Sequence, residues 1–288
     1  MNWFLLSLLS AFFVTSADAL CKRSLKNNGE YLIAWVRMGF SMPFLLLLLP
    51  FIEIPSLDGP FFLTLLILAP LEVTALILYM KAIKLSPLSL TLPFLALSPI
   101  FMIFTSDLIL GERLDKFGII SILLATAGAY MLNVNTTKKG IFEPFKAIRR
   151  ERGSLYMIMV AFIYSITSNL AKIAIIHSSP LFFAATYLPT IAIVFFPILL
   201  WKNHGNMKGL LAKPKSFGAI GLAMAISTVT QFLAVNMIAV PYVISVKRLS
   251  LLFGIMYGAV WFKETHIRER LIGAIIMISG VIMLAFLW

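Results

Sequence analysis

The sequence predicts an all-α integral membrane protein: ten transmembrane helices, arranged as two inverted five-helix repeats around a central cavity. Three observations lead there. Of the 288 residues, 60% are hydrophobic and only 12% charged, with a mean hydropathy of +0.97. A soluble domain runs at about 45–50% and about 25%. The apolar residues also gather in runs of spanning length, which takes about 20 residues per helix. Finally, one long polar stretch splits those runs five and five, and the two halves align. A water-soluble enzyme and a disordered chain are both excluded by this composition.

Taken in order, the expected spans are 3–21, 31–50, 61–80, 87–109, 117–134, 154–176, 181–201, 216–236, 241–262 and 270–288. Residues 3–16 followed by Ala17-Asp18-Ala19 resemble a signal-peptide core and cleavage site. No cation precedes that run, so a retained first helix is expected. Pro87, Pro180 and Pro241 stand at helix entries, where the missing N–H costs little. Pro43, Pro70, Pro93, Pro99, Pro189 and Pro197 fall inside runs and are expected to bend helices whose freed carbonyls face protein or a watery cavity. The small-residue spacing Gly254–Gly258 predicts close helix packing.

The polar stretch from Asn135 to Arg152 is read as a basic cytoplasmic linker, 135–152, between halves 1–134 and 153–288. Sliding one half over the other by 152 residues brings Glu112 onto Glu264, Gly128 onto Gly280, and Met131-Leu132 onto Met283-Leu284. Over 98–132 against 250–284, eight of 35 positions are identical. Apolar composition alone supplies several of these, so the weight rests on the charged turn and the glycine. An odd number of spans per copy makes the second copy enter the membrane from the opposite face. That is an inverted repeat, in which substrate sites lie near the midplane between the copies.

Ser86-Pro87-Leu88-Ser89 through Gly111-Glu112-Arg113-Leu114, with Gly118 and Thr126-Ala127-Gly128 beyond, resembles the fourth and fifth spans of the drug/metabolite transporter superfamily, EamA type. Phe262-Lys263-Glu264, Leu271-Ile272-Gly273 and Ser279-Gly280-Val281 repeat the pattern, with Lys263 in place of the glycine before the glutamate. Arg37 stands where the family usually has a second-span arginine. The resemblance covers essentially the whole chain. It implies a ten-helix permease of the plasma (bacterial inner) membrane or an organelle, and leaves the substrate open.

Ionisable groups inside spans cost about 2.5–3.5 kcal/mol each even on a lenient scale, so they mark functional candidates. Lys247 and Arg248 are adjacent in the ninth span and cannot neutralise one another. A transported phosphate or carboxylate would serve both, with Arg binding bidentately. The pair is similar to the ninth-span Lys-Arg of the sugar-phosphate translocators, and Lys172 is similar to a sixth-span lysine of that branch. Arg37 and Glu72 complete the expected substrate-binding set. Glu72 is either a proton-coupling carboxylate or a counter-ion for Arg37. Asp18, four residues from Lys22, is a further counter-ion or proton-coupling candidate. Internal ion pairs between these carboxylates and cations are the competing explanation. Glu112 and Glu264 read as helix-end or gating contacts, and Trp35, Tyr79 and Tyr187 as candidates for the cavity wall.

Other chemistry is poorly represented. His177, His204 and His266 lack a second ligand at metal spacing, there is no phosphate-binding Gly-rich loop, and Cys21 is alone. No cofactor or catalytic site is expected, and Asn135-Thr136-Thr137 is an accidental sequon in a basic loop. The net charge of +12 would suggest nucleic acid in a soluble protein. Here basic loops facing the cytoplasm explain it, and no nucleic-acid partner is expected. Loops after odd-numbered spans hold 18 Lys and Arg against two, Arg113 and Lys116, after even-numbered ones. The positive-inside rule then puts both termini outside the cytoplasm, although members of the family are commonly drawn with both inside.

The expected function is a secondary carrier of a small polar, anionic metabolite by alternating access. Its partners would be that small molecule, H+ or a counter-substrate, and the lipid bilayer. The alternatives are proton-coupled efflux of cationic or amphipathic compounds, and a non-transporting membrane protein or membrane enzyme.

Overall fold

A computed structural model describes residues 2–85, 94–134, 152–203, 208–211, 213–262 and 271–286. Pro87, Pro93, Glu264, His204, His266, the Asn135 sequon and all of the linker but Arg152 lie outside these residues.

Twelve α-helices carry the described chain: α1 Asn2–Leu25, α2 Glu30–Gly39, α3 Met42–Leu46, α4 Gly59–Leu85, α5 Ser98–Leu110, α6 Lys116–Val134, α7 Arg152–Ile176, α8 Pro180–Lys202, α9 Pro214–Met237, α10 Val240–Lys247, α11 Ser250–Phe262 and α12 Leu271–Phe286. Among the described residues, seven segments are long and apolar enough to cross a membrane: Asn2–Leu25, Glu30–Phe51, Gly59–Leu85, Arg152–Ile176, Pro180–Lys202, Pro214–Met237 and Val240–Tyr257. Ser98–Leu110, Lys116–Leu132 and Ile272–Phe286 are shorter apolar helices.

Local sequence explains the helix starts. The Asp58 carboxylate accepts from Phe61 N at 3.1 Å, Asp115 from Gly118 N at 3.1 Å, and the Ser179 hydroxyl from Phe182 N at 3.2 Å. Each satisfies an otherwise unpaired amide of a first turn. Pro180 and Pro241 open α8 and α10 as expected, and Pro70, Pro189 and Pro197 lie inside helices. Pro43 and Pro99 do not bend continuous helices. Each stands in the first turn of a new one, α3 and α5, because a proline without an N–H fits only there once the preceding turn has ended.

Three expected spans are therefore interrupted: at Phe40–Ser41 between α2 and α3, at Ala96–Leu97 before α5, and at Arg248–Leu249 between α10 and α11. At the last, Leu251 N bonds to Arg248 O at 3.0 Å and Leu252 N to Leu249 O at 2.9 Å, three-residue bonds that carry the chain across the break.

The helices pack in pairs. α1 lies on α9, α4 on α7, and α6 on α12, while α5 leans on α7, and α10 and α11 on α1. Ser10 and Ser227 pin α1 to α9 reciprocally, each hydroxyl donating to the other's carbonyl at 3.0 Å. Along α6 and α12 the contact is backbone on backbone. A Cβ on Gly128 would sit 2.2 Å from Met277 N, one on Gly280 2.5 Å from Ala125 N, and one on Gly273 2.3 Å from Leu132 N. Close approach of this kind needs residues without side chains. Gly254 is different: its nearest neighbour would be Thr15 Cγ2 at 3.8 Å, an ordinary contact.

Phe183, Phe195 and Phe217 fill the interior, whereas Leu66, Phe104 and Leu108 point outward and are 72–87% exposed. Large apolar side chains on outer helix faces match a hydrocarbon surround, since lipid tails impose no cost on them.

Candidate functional site

A cavity of about 120 Å³ lies between α1, α2, α4, α7, α8, α9 and α10. Its wall carries Asp18, Arg37, Glu72, Lys247 and Arg248, five of the six charged residues expected at the site. The break after α10 brings the last two there. Lys247 ends that helix and Arg248 caps it, and the C-terminal end of a helix favours cations.

The five divide into two groups. Arg37 is buried and forms an ion pair with Asp18, whose other carboxylate oxygen accepts from Tyr79 Oη at 3.0 Å. The guanidinium carbon also lies 5.4 Å from the Tyr79 ring centre, within reach of a cation–π contact. Asp18 is thus drawn to the next helix and not only to Lys22 four residues on, and the acid that pairs with Arg37 is Asp18 and not Glu72.

Lys247, Arg248 and Glu72 have neutral partners. Lys247 Nζ donates to Gln231 Oε1, and Arg248 Nη2 donates to Ser98 Oγ, while the buried Arg248 Nε has no partner. The Glu72 carboxylate is buried beside the hydroxyls of Tyr187 and Thr167. Among the described residues, no ion pair involves these three side chains.

Lys172 stands apart from these five. It lies on α7 but is not among the cavity-lining side chains. It forms an ion pair with Glu112 and donates to Ile238 O at 2.9 Å. The other Glu112 oxygen accepts from Ser106 Oγ at 2.7 Å and from Val240 N at 3.2 Å. One carboxylate therefore joins the turn after α5, the last turns of α7 and the α9–α10 junction. Arg113, next to Glu112, instead meets Asp107 at 3.5 Å.

Tyr79 and Tyr187 line the cavity as expected, whereas Trp35 does not: its Nε1 donates to Ala192 O at 3.0 Å and ties α2 to α8. Tyr164, Thr167, Gln231 and Ser98, which hold or face the charged groups, were not singled out from the sequence. Uncharged polar residues are common in apolar helices, and only their direction distinguishes these.

Outward-facing apolar helices around a buried, charged, partly unpaired cavity define a multi-pass integral membrane protein with an internal polar site. The chain belongs to the EamA-like transporter family, whose profile matches residues 1–134 and again 151–286. The family places it in the drug/metabolite transporter superfamily, among transporters and not enzymes. No curated protein matches the chain. The fold is similar to that of several solved structures, among them a crystal structure with a TM-score of 0.73 over 99% of each chain at 16% identity.

Proposed function

We propose that the protein is a secondary carrier that moves a small polar, anionic metabolite by alternating access, with Lys247 and Arg248 as its anion ligands. The observation that carries this reading is their pairing. Two adjacent cations face an internal cavity, hydrogen-bonded to an amide oxygen and a hydroxyl and, among the described residues, in no ion pair. Leaving charges buried without an opposite charge is expensive. A substrate carboxylate or phosphate supplies that charge along with acceptors for Arg248. Arg37 and Asp18 neutralise one another and shape the wall, while Lys172 acts at a distance from the cavity through Glu112.

The proposed architecture is ten spans in two inverted copies, 1–134 and 153–288, joined by a cytoplasmic linker at 135–152. It is supported by the 152-residue register. Helices α5 and α11 begin at Ser98 and Ser250, separated by that interval, and Gly128 and Gly280 share it. The pairing of α1 with α9 and of α4 with α7 also fits a two-fold relation between copies.

The test is binding to the purified full chain. A short-chain carboxylate or phosphate should raise the unfolding temperature, since a ligand of the native state stabilises by mass action, and the Lys247→Ala, Arg248→Ala double variant should lose that response. A second reading, proton-coupled efflux of cations through Glu72, draws on that carboxylate's lack of an ion pair. It predicts the reverse: loss with Glu72→Gln and survival in the double variant.

A further inference from the structure

Away from the cavity, basic and aromatic side chains of three helices converge at one end of the bundle. Tyr31, in the first turn of α2, meets the ends of α4 and α8 there. The Lys81 ammonium on α4 stands 5.6 Å from the Tyr31 ring centre and that of Lys202 on α8 stands 5.9 Å from it. Lys202 also lies 4.2 Å from the Trp201 ring centre. These distances are within cation–π reach, but a ring attracts a cation without neutralising it. The carboxylate of Glu30, next to Tyr31, is taken by an ion pair with Lys84. Among the described residues, Lys81 and Lys202 form no ion pair. Lys81 belongs to the first half of the chain and Lys202 to the second, so cations from different halves gather on one ring.

An apolar strip leads away from this cationic end. Ile193, Phe196 and Leu200 recur at helical spacing on one face of α8, and all three are exposed. The Phe196 ring centre lies 5.7 Å from that of Trp35, one turn on from Tyr31 in α2. From Ile193 to Leu200 the strip rises about 10 Å, against about 15 Å for the hydrocarbon of one leaflet. Trp201, 72% exposed, and Tyr31 stand where the strip gives way to the lysines. Such rings collect at headgroup level in a membrane. We infer that this groove between α2 and α8 binds an anionic phospholipid, with its phosphate on Lys81 and Lys202 and an acyl chain along Ile193, Phe196 and Leu200. Basic pockets between spanning helices hold anionic headgroups in this way. A dissolved phosphate uses the lysines alone, whereas a lipid uses the strip as well. The bound lipid ties α4 of one half to α8 of the other and braces the halves at this end of the molecule.

The test titrates the purified full-length chain, in neutral detergent, with phosphatidylglycerol, with phosphatidylcholine of the same acyl chains, and with glycerol 3-phosphate as the headgroup alone. Binding is read by native mass spectrometry and by the rise in unfolding temperature. Phosphatidylglycerol should bind tenfold or more tightly than phosphatidylcholine, and glycerol 3-phosphate should bind weakly. A lysine beside an anionic headgroup is worth about fivefold in affinity. Lys202→Gln alone should therefore lose about fivefold, and Lys81→Gln with Lys202→Gln about tenfold or more, both for phosphatidylglycerol only. The charge-matched control is Arg23→Gln with Lys215→Gln, exposed cations on α1 and α9 at the same end, which should keep the preference. Equal binding of the two lipids to the wild-type chain overturns the proposal. So does a control that loses the preference as fully as the Lys81, Lys202 variant, which marks a diffuse basic surface. If the Lys81, Lys202 variant keeps the wild-type preference, the lipid sits elsewhere and the assignment fails. Glycerol 3-phosphate binding as tightly as phosphatidylglycerol makes this a site for soluble phosphate and overturns the lipid.

Discussion

Arg248 caps α10 and donates through Nη2 to the hydroxyl of Ser98, the first residue of α5. Two interrupted spans, one from each half of the chain, therefore meet at their interruptions. Helix ends bring unpaired backbone groups and side chains of either sign to one depth, which a continuous helix cannot do without breaking its own ladder. Ser98→Ala removes one neutral partner and leaves Arg248 free to turn to a ligand. Its expected cost is about 1 kcal/mol of stability, measured by thermal unfolding in detergent, with ligand affinity retained.

The seam between α6 and α12 should tolerate little substitution. Gly128→Ala drives a methyl group into the Met277 backbone, and Gly280→Ala does the same at Ala125. Backbone cannot step aside as a side-chain tip can, so each should lose about 1–3 kcal/mol or more. Gly218→Ala, on α9 with open space around it, should be neutral or slightly stabilising because alanine favours a helix over glycine. Unfolding temperatures of the three variants check this.

Glu112 and Lys172 should behave as one unit. Either Glu112→Gln or Lys172→Met leaves a largely buried charge without its partner, at an expected cost of about 3 kcal/mol. The double variant should cost less than the sum of the two. If the pair also holds one end of the bundle shut, a cysteine placed at Ser168 in the cavity wall, in a Cys21→Ser background, should react faster with a charged thiol reagent when Lys172 is replaced. An unchanged labelling rate would confine the pair to a purely stabilising role.

Asp18→Asn should destabilise by about 3 kcal/mol, because Arg37 is buried and loses its counter-charge. Asp18→Asn combined with Arg37→Gln should recover part of that loss. Thermal unfolding of the two variants decides between an ion pair that holds the wall and a dispensable one.

The bias of basic residues predicts that a reporter fused after Trp288 will lie outside the cytoplasm. Alkaline phosphatase there should be active and a fluorescent protein dark. The opposite result would reverse the orientation while leaving every contact described above unchanged.

Much of this was legible in the sequence, for identifiable reasons. An ionised group in an apolar run stands out whatever it touches, so Asp18, Arg37, Glu72, Lys247 and Arg248 could all be found. Direction was not legible. Lys172 belongs to the same class of signal, yet it faces Glu112 and the α9–α10 junction. Asp18 and Lys22 have the spacing of a helical pair, and the structure also joins Asp18 to Arg37 on the next helix. The break at Arg248–Leu249 has no proline or glycine to announce it, whereas Pro43 and Pro99 mark theirs, although a proline alone does not distinguish a bend from a break. The 152-residue register was visible through Gly128 and Gly280. What it could not reveal is that each glycine meets the counterpart of the residue the other meets, since Met277 and Ala125 are separated by the same interval.

That reciprocity gives the α6–α12 seam a mechanical character. Main chain rests on main chain there, with no rotamer to give way, so sliding one helix along the other would force backbone through backbone. Tilting about the line of contact disturbs far less. Were the two halves to move against one another as alternating access requires, this seam would serve as the line about which they tilt.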